Sequence, residues 1–532
     1  MANLPTRLHP LRSTAERILL LSGSAGASVG VLHKGEVIVT ENLGFRDHAL
    51  QEQATADTLY NIGSLTKSML AQAASAVVEE GLVSWDTPVS SIVPEFQSID
   101  ETLTKDCTLI DLLSHRSGLP TANVLWYQGG SEPLVKKRDL LPIINAMSPS
   151  FSLRGSWRYS NWGYALAGEM LERVTGEPWQ VLLKKNLWEP LGLQRTTTDG
   201  RWKELPNVAQ AFMALEDTSV FPLEGQAIDD STVVGASGGV CSSVNELLLY
   251  YRELMRAYNH QSKNTVTFTP GSAFKQVPSV FSAHAVFPHP SAPAYADSTY
   301  TLGWVRTRLP SAVGLPSDNS GLVARMPEIG RGTKPQQVFY HQGTTAGFYS
   351  SVYLLPETES CVITLVNTKP LCDSSDWIAQ LYLEGLIDSP EPIDFIKLTE
   401  ESVRMNSSRF SDAEQTLSQE RVLGTVPMAL EAYCGRYYWG GRVYYIDIER
   451  QGEGLQLVIQ GRADQRYGLQ HYHYNTFTWL MTNDEEAKRG RFIQATYTYK
   501  MVFHCDEIQV IDGFTWQEIG GGKALFKKEC AA

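Results

Sequence analysis

Ser64-Leu65-Thr66-Lys67 sets a hydroxyl and an amine three residues apart, so on a helix both lie on one face and Lys67 can reach the Ser64 oxygen. At a helix start, unpaired backbone N–H groups and the positive end of the dipole favour a developing oxyanion. The same field disfavours an ammonium, so a neutral, basic lysine becomes attainable. The chemistry this suggests is attack by an activated serine on an acyl carbon. Spacing alone does not decide it, because Ser272-Ala273-Phe274-Lys275 repeats the pattern directly after Pro270-Gly271. That second copy reads as chance. The plainer account of the first is a serine capping a core helix beside a solvated lysine.

Two further strings carry suitable groups. Tyr159-Ser160-Asn161 precedes a helical run and supplies a phenol that can relay protons and an amide that can orient a substrate carbonyl or amide. His341-Gln342-Gly343-Thr344-Thr345-Ala346-Gly347 follows the strand-like Val338 to Tyr340; its glycines let backbone approach a ligand, and an N–H there could complete an oxyanion hole. Taken singly, the first is an ordinary aromatic and amide in a turn, and the second a glycine-rich turn between strands.

The elements that must hold these groups are visible in the periodicity. From Ser64, the apolar residues Met69, Leu70, Ala73, Ala74, Val77 and Val78 keep helical spacing until Gly81, which predicts a buried helix of about five turns. Further helices are expected at Thr108 to Ser114, Tyr164 to Val174, Trp179 to Leu187, Asn245 to Leu254 and Trp377 to Leu386. Ala27 to Thr40 reads as a hairpin around Lys34-Gly35, and Ser350 to Leu355 and Val362 to Val366 read as strands. Helices between sheet segments indicate a mixed α/β core. Pro270 to Ser298 and Leu309 to Pro335 lack a sustained period and look like loop insertions overhanging a site. A polar helix is expected around Asp394 to Arg421. Short aromatic and β-branched runs from Tyr433 to Phe526 then suggest a small antiparallel barrel or sandwich.

A chain of 532 residues, 43% hydrophobic and 19% charged, can bury a core without staples. Its net charge of −13 gives no general attraction to phosphate backbones or anionic membranes, so neither nucleic acid nor membrane is an expected partner. Ile18 to Leu21 is too short for the apolar core of a secretory signal, and no run reaches the roughly 20 apolar residues of a membrane span. The cysteines, Cys107, Cys241, Cys361, Cys372, Cys434, Cys505 and Cys530, are odd in number and scattered without a Cys-x-x-Cys pair, against both a disulfide framework and a zinc site. The expected location is cytoplasmic. His471 and His473 share one face of a strand-like run, and they read as ordinary strand residues before a metal pair.

Taken together and in this order, the motifs resemble the serine β-lactamase and penicillin-binding-protein superfamily, in its branch of class C-like esterases, D-aminopeptidases and transesterases. Asn61-Ile62-Gly63 leads into the nucleophile, Leu112 to Leu119 is similar to the family's loop, and Tyr159 to Tyr164 to its second motif. Glu189 to Leu193, Ala236 to Val240 and Leu354 to Glu357 fall where that family places similar strings. The resemblance covers residues 15 to 390. It implies a mixed sheet flanked by helices with an all-helical subdomain over residues 1–392; the polar stretch gives a linking helix over 393–425, and the C-terminal strands, over 426–532, resemble the lipocalin-like antiparallel barrel that follows many of these hydrolases.

The same resemblance makes Ser64 the acylated nucleophile, Lys67 its activating amine and Tyr159 a proton relay. Asn161 becomes a substrate-orienting amide, His341, Gly343 and Thr344 border the substrate, and the N–H groups of Ser64 and Thr344 hold the oxyanion. No cofactor or metal is expected. His341 departs from the Lys that opens the third motif of β-lactamases, and a neutral histidine anchors a substrate carboxylate less strongly. Arg154-Gly155 replaces the usual Pro-Gly, and His115 is expected to be structural. The implied function is a serine hydrolase or acyltransferase acting on a small ester, thioester or amide, with an organic acceptor as an alternative to water. It is similar to fungal members that serve secondary metabolism. A D-amino-acid peptidase or amidase stays open as an alternative, as does a catalytically inactive scaffold.

Overall fold

The computed structural model describes residues 4–130, 132–224, 228–288, 298–492, 495–519 and 522–529. Its centre is a nine-stranded antiparallel sheet. In spatial order the strands are Glu52–Gln53, Glu36–Asp47, Gly26–His33, Ser360–Val366, Phe348–Leu355, Gln336–Thr345, Val305–Leu309, Thr299–Tyr300 and Ala285–Val286. The expected hairpin is there: Lys34 and Gly35 both take positive φ, 54° and 76°, which gives a two-residue turn the twist that its strands need.

Both faces of the sheet are covered. On one, Leu11–Ser22 and Ser374–Ile387 pack together, with the 26-residue helix Phe395–Glu420 outside them. On the other lies Val244–Asn264, pressed close because Gly30 carries no side chain; a Cβ there would sit 2.5 Å from Val244 Cγ1. Beside this layer is the helical region that includes Thr66–Glu79, Leu109–Leu113 and Asn161–Thr175. Thr66 to Val77 are buried all round, so that helix is core rather than surface. It is shorter than its apolar run predicts, because Gly63–Leu65 forms a separate 3₁₀ turn ahead of it. Asn161–Thr175 starts on a Ser160 cap that accepts from Gly163 N–H, and it ends at Gly176 with φ of 70°.

Leu309 to Pro335 is irregular apart from the pair Ser311–Ala312 with Glu328–Ile329 and a 3₁₀ turn, Asp318–Gly321. Pro270 to Ser298 contributes Val277–Val280 and the edge strand Ala285–Val286, and its residues 289–297 lie outside the described residues.

The C-terminal part closes into an eight-stranded antiparallel barrel from Gly435–Trp439 to Gly522–Lys528. Aromatic rings fill it: Phe514 lies 5.1 Å from Tyr437, 5.4 Å from Phe503 and 4.6 Å from Phe526. Tyr437, Trp439 and Trp479 are buried, while Tyr438 is half-buried beside Tyr445. The aromatic and β-branched run Ala495 to Phe503 predicts a strand, which begins only at Lys500, after a 3₁₀ turn at Thr496–Tyr499. That turn presents the Thr498 carbonyl to two buried indoles, Trp479 Nε1–H at 3.2 Å and Trp516 Nε1–H at 2.7 Å. Satisfying those donors outweighs continuing the strand.

Among the described residues no helix is long and apolar enough to cross a membrane, and no group of three or more His, Cys, Asp or Glu is placed to hold a metal. His471 Nε2–H donates to Tyr474 O, and His473 Nδ1 accepts from Val422 N–H. The six described cysteines are unpaired; Cys530 lies outside the described residues.

Candidate active site

Ser64 sits in the 3₁₀ turn that leads into the buried helix, and the end of strand Gln336–Thr345 lies directly on that turn. Two glycines permit the contact. A Cβ at Gly343 would stand 2.2 Å from Ile62 O and 3.0 Å from the Ser64 amide nitrogen; one at Gly63, where φ is 52°, would stand 2.7 Å from the Thr344 amide nitrogen. The amides of Ser64 and Thr344 are therefore close neighbours. Asn61 Oδ1, which accepts from Gly63 N–H, and Ser350 Oγ–H, which donates to Ile62 O, brace the turn from behind.

Ser64 Oγ has two polar neighbours, Tyr159 OH at 2.6 Å and Lys67 Nζ at 3.1 Å. Lys67 is fully buried and also donates to Asn161 Oδ1 at 2.7 Å and Ser237 O at 2.8 Å. The orientation of Asn161 follows from a donor that cannot be reversed. Trp126 Nε1–H donates to Asn123 Oδ1, so Asn123 accepts from Asn161 Nδ2, and Asn161 turns its oxygen to Lys67.

Burial pushes the Lys67 ammonium well below the usual lysine range. A neutral amine has two N–H bonds and one lone pair. Asn161 Oδ1 and Ser237 O can only accept, so they take the two hydrogens and leave the lone pair facing the Ser64 hydroxyl. Burial raises the Tyr159 phenol, against a smaller opposing effect of its bond to Ser64, so it stays protonated and acts as a donor.

His341 is buried at the cavity wall. Its Nδ1–H donates to Gln342 O at 2.6 Å and its Nε2 accepts from Tyr300 OH at 3.0 Å. Burial, and then the nearness of Lys67, push its pKa down to about 3, so it is neutral. His115 lies behind Tyr159, with ring centres 4.5 Å apart, and its Nδ1 accepts from Ser160 N–H. Arg154 takes part in more than a backbone difference: with φ of 61°, it donates to buried Asp111 at 2.8 Å alongside Arg116 at 2.6 Å. Arg154 N–H to Arg116 O and Arg158 N–H to His115 O then tie the strand of chain before Tyr159 to the loop after Asp111.

Ser64, Tyr159, Asn161, His341 and Thr344 all line one cavity of about 470 Å³. Its walls include the aromatic rings of Trp126, Tyr127, Trp157, Phe287 and Phe492. Both insertions border it, through Phe287 and Pro288 and through Leu315, Pro316 and Asp318. No lysine or arginine is among the described lining residues, and Asp318 is the one carboxylate. Of the rings flanking the motifs, Trp157 faces this space, whereas Trp162 is buried with its N–H on Ala122 O, Phe348 packs on Trp202, and Tyr349 donates to Asp318. In the second Ser-x-x-Lys copy, Lys275 Nζ donates to the Ser272 carbonyl in an outlying turn. Asn123, Trp126, Ser237, Tyr300 and Phe492 were not apparent as site residues from sequence; the Ala236 to Val240 string was the one signal that could have pointed to Ser237.

Comparison with known proteins accords with this arrangement. The beta-lactamase family matches residues 19–383, and a domain family of unknown function, DUF3471, matches residues 421–528. The unguisins hydrolases of Aspergillus violaceofuscus and Aspergillus campestris are each 25% identical, over 64% and 72% of this chain; the chain spans 58% of the first and 67% of the second. The octameric penicillin-binding protein homologue from Pyrococcus abyssi shares the fold with a TM-score of 0.57 at 19% identity, over 98% of this chain and 99% of that one. With a serine, a buried lysine and a tyrosine converging on one oxygen beneath a sheet edge, and with that family matching more than half its length, the chain belongs to the beta-lactamase family of serine hydrolases.

Proposed function

We propose that this chain forms an acyl-enzyme on Ser64 from an uncharged, largely apolar ester, thioester or amide and passes the acyl group to water or to an organic alcohol or amine. The observation that carries this reading is the position of buried Lys67 Nζ, 3.1 Å from Ser64 Oγ and bonded to the two acceptors Asn161 Oδ1 and Ser237 O, which leaves a neutral amine's lone pair for the hydroxyl. As Oγ attacks the acyl carbon, its proton moves to Lys67 Nζ. The amides of Ser64 and Thr344 receive the oxyanion. Tyr159 OH gives its proton to the leaving heteroatom as the bond to the acyl carbon breaks, and Lys67 restores that proton. Deacylation runs the same transfers in reverse with the incoming nucleophile. Asn161, with both polar ends engaged, acts in this scheme by orienting Lys67.

The lining supports the choice of substrate. Without a lysine or arginine, and with His341 neutral, a carboxylate-bearing donor such as a penicillin finds no cation to anchor it. Asp318 favours a second reading, a D-amino-acid peptidase or amidase, since one carboxylate in the cavity suits a substrate amine. The relatives named for hydrolysis of unguisins support a place in secondary metabolism. The unpaired cysteines support a cytoplasmic setting.

The test is the intact-protein mass after incubation with a panel of neutral aryl esters. A stoichiometric acyl adduct is expected on the wild-type chain and none on Ser64→Ala. No adduct with any ester, or one retained in Ser64→Ala, would remove the proposal.

A further inference from the structure

Phe492 is a ring of the cavity wall that the catalytic part of the chain does not supply. It comes from the barrel, four residues after the helix Asn483–Lys488, and lies in the same cavity as Ser64. It is half-buried, packs against both hydrophobic clusters of the protein, and meets Tyr127 with ring centres 5.3 Å apart.

The residue before it explains how the ring is held. Arg491 is 2% exposed and bonds Glu486 at 2.5 Å and Tyr467 OH at 3.1 Å within the barrel. The same guanidinium reaches across to Gln128 O at 3.0 Å and Gln128 Oε1 at 2.5 Å. Gln465 Nε2–H donates to Gly129 O, and Gly130 N–H donates to Arg489 O. Gly129 must be a glycine here, since its φ is 88° and a Cβ would lie 2.5 Å from Arg489 O and 2.6 Å from Arg491 Cγ. Gln128 directly follows Trp126 and Tyr127, two other walls of the cavity. A buried ion pair is a poor source of stability compared with an apolar substitute of the same size. Its value lies in fixing one geometry, and what it fixes is the register between Phe492 and the Trp126-Tyr127 wall.

We propose that Phe492 determines acyl-group specificity, selecting a bulky apolar and preferably aromatic acyl group against it, and that Arg491 is its positioning residue. The barrel thus takes part in substrate choice through this edge while its own interior stays filled. This inference rests on the acyl-enzyme reading of Ser64.

The experiment compares p-nitrophenyl phenylacetate with p-nitrophenyl acetate on the full chain. In Phe492→Ala the phenylacetyl-to-acetyl ratio of kcat/KM should fall by about tenfold to a hundredfold, the range expected when a buried ring contact is lost, and chiefly through KM. Phe492→Trp should keep the preference. Arg491→Met, checked for folding by its thermal transition, should lose the preference in the same direction, as should the milder Gln128→Ala. An unchanged ratio in Phe492→Ala, with that transition retained, would overturn the proposal. Calorimetry of phenylacetamide on Ser64→Ala separates the two readings: affinity weakened about tenfold or more by adding Phe492→Ala supports the wall even where neither ester acylates the wild type, and equal affinity overturns it.

Discussion

The chain carries Ser-x-x-Lys twice, and the two copies end in different chemistry. At Ser64 the amine of Lys67 is buried, bonded to two carbonyl acceptors and aimed at the hydroxyl. At Ser272 the amine of Lys275 bonds the serine's own carbonyl in a turn beside Phe268. Spacing brings an amine near a serine in both. What separates them is the surrounding protein, which in one case removes solvent, fills the amine's hydrogens and sets a phenol on the far side of the oxygen. The pattern is therefore a local permission, and the reactivity is a long-range product.

The sharpest way to break this contrast is an active-site-directed fluorophosphonate. Labelling should vanish in Ser64→Ala and persist in Ser272→Ala, read by mass spectrometry of the modified peptide; modification at Ser272 would erase the distinction. Next in size, Lys67→Ala and Tyr159→Phe should each slow acylation by about 10²–10⁴ with folding intact, while Lys275→Ala leaves the rate where it was. Unaltered rates in the first two would show that their placement around Ser64 Oγ has no chemical weight. The smallest effect is that of a single pH unit. Burial lowers the Lys67 pKa, and only the neutral amine has a lone pair, so acylation should rise with pH to a plateau that starts below the usual lysine range. On the acid side of that point the rate should fall about tenfold per unit. The raised Tyr159 value places no alkaline limb within the ordinary tyrosine range. A rate that falls as pH rises through neutrality would reverse the assignment of Lys67 as the base.

Much of this site is legible in the sequence because its side-chain donors sit in short strings: Ser64 with Lys67, Tyr159 with Asn161, and His341 to Thr344. The structure joins the first two at hydrogen-bond distances and lays the third against the turn that carries Ser64. Other members leave no such trace. Ser237 contributes a carbonyl, which every residue has, so no residue type announces it. Trp126 and Asn123 matter because they set which way Asn161 faces, a consequence of packing between segments. Phe492 is separated from Ser64 by most of the chain. Proximity in sequence misleads as well, since Trp162, Phe348 and Tyr349 flank the motifs and yet point into the core or toward other loops. In the fold, alternation and helical spacing reveal the mixed sheet and the barrel. They miss the ends of elements where a tertiary partner competes, as the Thr498 carbonyl does for two indoles.

The polar partners of Lys67 are Ser64, in the turn just before it, and Asn161 and Ser237, from two distant parts of the chain. Any loosening that parts one of these segments from the others admits water to the amine, which then takes up a proton at neutral pH and ceases to act as a base. Under the proposed acyl-enzyme mechanism, a damaged or half-assembled copy would fall silent, and the reactivity of Ser64 would be a readout of intact tertiary structure.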